Sequence, residues 1–133
     1  MINIVDPQLI SPLAVSFGAI LGALSRYYLT IGIAQWLGTN FPYGTFMINL
    51  SGSLLMGFFA TLAIERVITS SELQLLITTG FLGSYTTFST YALDTSVLLR
   101  SGSQKKAMFY WLGSVVFGGI CLEIGIALAK VIG

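Results

Sequence analysis

Four stretches of the chain, roughly residues 13 to 36, 44 to 66, 73 to 99 and 107 to 131, run almost unbroken in apolar residues. A hydrocarbon core roughly 30 Å thick needs about 20 such residues in a helix, so each stretch predicts a membrane-spanning helix. Short connections separate them: "GTNFPYG" with Pro42 and two glycines, "RVITSSE" around Arg66, and "RSGSQKK" from Arg100 to Lys106. Clusters of Gly, Pro and Ser of this kind end helices. Four spans leave no room for an extramembrane domain, so residues 1–133 read as one all-α, four-helix transmembrane domain.

The third stretch departs from the pattern. "GFLGSYTTFSTYALD", Gly80 to Asp94, carries two glycines, then Thr86, Thr87, Ser89 and Thr90 among Tyr85, Phe88 and Tyr91. Gly80 and Gly83 can take backbone angles that other residues resist, and the hydroxyls can re-satisfy backbone groups that an interruption frees. Non-helical backbone at membrane depth is tolerated only where protein or water surrounds it. The stretch therefore predicts a third helix broken mid-membrane, whose freed carbonyls can coordinate a small cation. The alternative is an intact helix whose hydroxyls bond to its own backbone.

Composition supports the membrane reading: 55% of residues are hydrophobic and 8% charged, against about 25% charged in an average soluble domain. The chain has no His, which removes the usual zinc sites and His-based acid/base or triad chemistry. No enzyme is expected. Cys121 stands alone in an apolar run and reads as a small buried hydrophobe. A net charge of +1, with no basic run beyond Lys105 and Lys106, gives nucleic acid no electrostatic footprint. The N-terminal "MINIVDPQLISPL" lacks a basic region, and the apolar stretch after it is too long for a signal peptide, so it is expected to be retained.

With four helices, both termini and the loop near residue 70 share one side, carrying Arg66 and Lys130. The other side carries Arg100, Lys105 and Lys106. Orientation follows the difference in Lys and Arg between sides, and this difference is almost nil. Insertion both ways, and pairing with an inverted copy, is therefore physically open beside a single weakly biased orientation. Gly18 and Gly22, and Ser114 and Gly118, supply the small-residue spacing that close helix packing in lipid requires.

Polar side chains at mid-membrane are costly, and each raises a functional question. Arg26 must reach an acid, carbonyls or the interface; it reads as an anchor or an anion attractor. Asn49 can donate to an anion or tie two helices. Asp94 and Glu123 can relay protons, and Glu123 can pair with Arg26 or with a second subunit. Phe88 and Tyr91, three apart, share a helical face, and their positive ring edges can hold a dehydrated anion or simply pack.

Taken together, "GFLGSYTTFSTYALDT", "GTFMINLSGSLLMG" and "GALSRYYL" resemble the Fluc (also called CrcB) family of small bacterial fluoride channels, over all four spans. The resemblance implies an antiparallel, dual-topology dimer in the bacterial cell membrane, exporting cytoplasmic fluoride passively. It implies two pores and one structural Na+ at the interface, held by backbone carbonyls of Gly83 and Thr86. Asn49 then looks like the pore amide and Phe88 and Tyr91 like the paired aromatics of the ion path. Arg26 looks like the family's first-helix arginine. Thr45, Thr90 and Asp94 are similar to the vestibule's polar group, and Tyr110 and Ser114 to the start of a polar track. Three positions depart from the family pattern: Tyr91 where Phe is expected, Asp94 where Glu is common, and a track that thins at Gly118 and Leu122. These leave open a heterodimer with a close paralogue as partner. Two readings from other classes stand beside it: a small multidrug/proton antiporter using Asp94 or Glu123, and a non-conducting subunit of a larger membrane complex.

Overall fold

The computed structural model describes residues 6–133; residues 1–5, part of the stretch expected to be retained, lie outside the described residues. Every regular element among the described residues is helical: α1 (Pro7–Leu37), α2 (Tyr43–Ile64), α3 (residues 71–85), α4 (Phe88–Arg100) and α5 (Gln104–Ile132). Helices α1, α2 and α5 are each long and apolar enough to cross a membrane. At 1.5 Å per residue even α2, the shortest of them, is about 33 Å long, enough for the hydrocarbon core. The connections end where the sequence places Gly and Pro: Gly38 and Gly102 take positive φ of 86° and 83°, values that L side chains resist.

Two tight pairs make the bundle: α1 lies along α3, and α2 along α5. Small residues set both approaches. A Cβ on Gly18 would meet the Leu76 carbonyl, one on Gly22 the Phe81 carbonyl, and one on Gly80 the Val15 carbonyl. In the other pair a Cβ on Gly57 would meet the Leu122 carbonyl and one on Gly125 the Leu54 carbonyl. The expected small-residue contact at Gly18 and Gly22 is therefore real. Ser114 and Gly118 do not make such a contact: a Cβ at Gly118 would find only the Ser53 Oγ, 3.7 Å away.

The third apolar stretch is broken, as its polar residues suggest, but not where its glycines suggest. Leu75–Leu82 is wound as a π-helix, a widened turn often found at functional sites. Gly83 is ordinary right-handed helix at φ −62°, ψ −33°. The chain becomes extended only at Thr86 (φ −82°, ψ 155°) and Thr87 (φ −148°, ψ 121°). Gly80 serves close packing rather than backbone freedom. Two threonines make the interruption because β-branched residues adopt extended backbone readily. Cys121, expected to be buried, is half-buried.

Candidate functional site

The break is assembled by side chains from α1 and α2. Asn49 of α2 clasps Thr87 at both backbone groups: its Nδ2 donates to the Thr87 carbonyl at 3.1 Å, and its Oδ1 accepts from the Thr87 N–H at 2.9 Å. That complementarity fixes the orientation of the amide. Arg26 of α1 donates from Nε to the Ser84 carbonyl at 3.1 Å. It anchors the end of α3 and does not meet Glu123, which is exposed on α5. Thr86 turns its hydroxyl back to the Leu82 carbonyl at 2.9 Å. Thr87 caps α4 by accepting the Thr90 N–H at 3.2 Å, the ordinary role of an N-cap threonine.

These bonds leave specific groups unspent. In an unbroken helix the Gly83 and Thr86 carbonyls would accept from the N–H groups of Thr87 and Thr90. Those donors go instead to Asn49 Oδ1 and Thr87 Oγ1. Two carbonyls of the break are thus left without their helical partners, on a stretch where Gly83 is exposed. Asn49 has a second N–H beyond the one given to Thr87. The Thr87 hydroxyl donates to Thr90 Oγ1 at 3.1 Å, so Thr90 keeps its own hydroxyl proton for another acceptor.

Three clefts line up along the break, the first sharing only Thr87 with the second. One of about 300 Å³ is lined by Asn49, Gly52, Ser53, Thr87 and Phe88. A second, about 390 Å³, is lined by Arg26, Thr30, Thr45, Thr87 and Thr90. The third, about 280 Å³, opens towards the loop at Gly38–Pro42 and shares Thr30, Thr45 and Thr90 with the second, adding Asp94. Thr30 was not singled out by sequence; its position four residues after Arg26, on the same helical face, is the signal that marks it.

The two aromatics diverge. Their rings lie 5.8 Å apart, yet Phe88 is 78% exposed while Tyr91 is only 7% exposed. Tyr91 sits against Tyr110, with centroids 5.4 Å apart. Its hydroxyl, the departure from the expected Phe, donates to the Trp111 carbonyl on α5 at 2.7 Å. Tyr110, fully buried, donates to Asp94 Oδ2 at 3.1 Å. Two reciprocal tyrosine bonds therefore join α4 to α5, and sequence alone showed neither partner. Ser114, one turn beyond Tyr110, has a buried Oγ with no partner among the described residues.

A multi-pass membrane protein whose polar interruption exposes unspent donors beside an aromatic ring defines a class of ion- or solute-handling membrane proteins. The comparisons narrow it. The pattern of the family described as CrcB-like protein, Camphor Resistance (CrcB), matches residues 13–126. A protein of Trichormus variabilis is 56% identical over 129 residues, covering 96% of this chain and 94% of the relative. One of a Synechococcus species is 53% identical over 126 residues, 95% and 97% of the two chains. One of a Synechocystis species is 49% identical over 120 residues, 90% and 92%. All three are named fluoride-specific ion channel FluC. The chain belongs to the CrcB family.

Proposed function

We propose that this protein is a fluoride-specific channel that lets cytoplasmic fluoride leave the cell passively. The observation that carries the reading is the set of unspent donors at the break: the second Asn49 N–H in a cleft walled by the exposed Phe88 ring, and the Thr90 hydroxyl in a neighbouring cleft that shares Thr87 with it. Fluoride is small and strongly hydrated, so a path must replace its water with short hydrogen bonds. Neutral donors and ring edges do so without the fixed positive charge that would trap the ion. Fluoride enters as neutral HF and dissociates inside, so a membrane potential negative inside expels it with no other energy source.

In this reading α3 and α4 together form the third of four spans. The functional unit is an antiparallel dimer, in which an inverted copy covers the exposed Phe88 face. Thr45, Thr90, Asp94 and Tyr110 line the vestibule, and Ser114 offers the next hydroxyl along α5. Tyr91 contributes its ring while its hydroxyl is held by Trp111. The Gly83 and Thr86 carbonyls suit a structural Na+ at the interface, since they are oxygen ligands freed of helical donors. The ion's contribution is charge compensation for those carbonyls.

The test is fluoride efflux from liposomes containing the purified protein, read with a fluoride electrode after a potassium ionophore releases the charge block. Fluoride loss without chloride loss is expected, with Phe88→Ile greatly slowed while the dimer persists. Drug-dependent proton flux without fluoride loss would favour an antiporter. No transport by folded dimer would refute homomeric conduction.

A further inference from the structure

The two ends of the bundle differ in charge. Arg100, Lys105 and Lys106 gather at the end that holds the Gly38–Pro42 loop and the start of α5, and residues 36–46 and 95–106 contain no Asp or Glu. The opposite end mixes Asp6, Glu65 and Glu72 with Arg66 and Lys130. At the basic end lies a groove of about 360 Å³ lined by Phe41, Tyr43, Lys105, Lys106 and Phe109. Phe41 is its floor, 9% exposed, with ring centroids 5.0 Å from Tyr43 and 5.8 Å from Phe109. Lys106 leans over the loop, its Nζ 3.4 Å from the Asn40 carbonyl, and both lysines are exposed.

We propose that this groove binds the headgroup of an anionic phospholipid, the lysines taking the phosphate and the aromatic walls taking the glycerol and upper acyl carbons. Aromatic rings favour this level of the bilayer, and basic pockets at helix ends recognise lipid phosphate. A transiting fluoride ion would have no use for the apolar walls. A soluble phosphate would leave them wet. The proposal rests on membrane placement and not on fluoride conduction, so the two readings fail separately. Phe41 also lines the cleft of Asp94 and Thr90, and its ring lies 5.5 Å from that of Tyr110.

The experiment is native mass spectrometry of the full chain released from micelles holding equal amounts of phosphatidylglycerol and phosphatidylcholine with the same acyl chains. The lipid preference expected for phosphatidylglycerol is ~30-fold, about fivefold per lysine. Lys105→Gln with Lys106→Gln should bring it near parity, and Lys106→Gln alone should remove about fivefold. Arg66→Gln with Lys130→Gln, at the other end, should leave it unchanged. Equal retention of both lipids by the wild type overturns the proposal, as does a preference that survives the double lysine change. Excess glycerol phosphate should displace little lipid; full displacement would show that a soluble phosphate suffices and overturn the lipid assignment.

Discussion

Replacing Asn49 by Asp separates the two roles of this residue. The change keeps the shape and the oxygen that accepts the Thr87 N–H at 2.9 Å, and it removes the donor to the Thr87 carbonyl. The oxygen that takes the place of Nδ2 faces the Thr87 carbonyl oxygen, so the change strands that acceptor and costs about 1–3 kcal/mol of stability. The ionised carboxylate also replaces an unspent donor with a negative charge in the cleft shared with Phe88. A fluoride ion passing roughly 4 Å away, at an effective dielectric near 20, is repelled by about 4 kcal/mol. That is a slowing of about 1000-fold. Asn49→Ala strands both the Thr87 N–H and the Thr87 carbonyl, at about 1–3 kcal/mol each, and adds no charge. Both variants should therefore lose stability, and aspartate should be the worse variant for flux. The assays are fluoride efflux at mildly alkaline pH, where the carboxyl is ionised, and thermal unfolding in detergent. Near wild-type flux through folded Asn49→Asp protein would refute passage of fluoride beside this amide.

Three further outcomes follow from the packing and the bonds. Gly125→Ala drives a methyl into the Leu54 carbonyl, and overpacking should cost about 1–3 kcal/mol; Gly32→Ala, with nothing within 4 Å, should not lower the unfolding temperature. Tyr91→Phe loses the 2.7 Å bond to the Trp111 carbonyl. It should cost about 1 kcal/mol in detergent unfolding while fluoride efflux persists, because the ring remains. Arg26→Ala removes the charged donor on the Ser84 carbonyl and should lower stability by about 1.5–3 kcal/mol. Equal unfolding temperatures for variant and wild type would show that this bond holds nothing.

Much of this was legible from the residues. Apolar length located α1, α2 and α5, since a bilayer imposes one dimension on every span. The hydroxyl cluster signalled a break, because hydroxyls at membrane depth need backbone groups to satisfy. Its position was not legible. Glycine marks both flexible backbone and close helix contact, and only the approach of Val15 to Gly80 shows which applies. The π-helical winding of Leu75–Leu82 left no trace in an apolar run. Asn49 could be named as tie or donor, but its pair of hydrogen bonds to Thr87 depends on how α2 and α4 meet. The divergence of Phe88 and Tyr91 likewise depends on where α5 places Tyr110 and Trp111.

The clasp on the broken helix also has a direction in time. Arg26 and Asn49, which hold Ser84 and Thr87, both precede the break in the chain and are synthesised first. An interruption entering the bilayer with its backbone groups bare would carry a heavy cost. Here the first two helices present its receptors before it is made. The receptors of the break therefore lie in the half of the chain that is made first, so a permuted chain that begins at residue 71 should give a lower yield of folded protein.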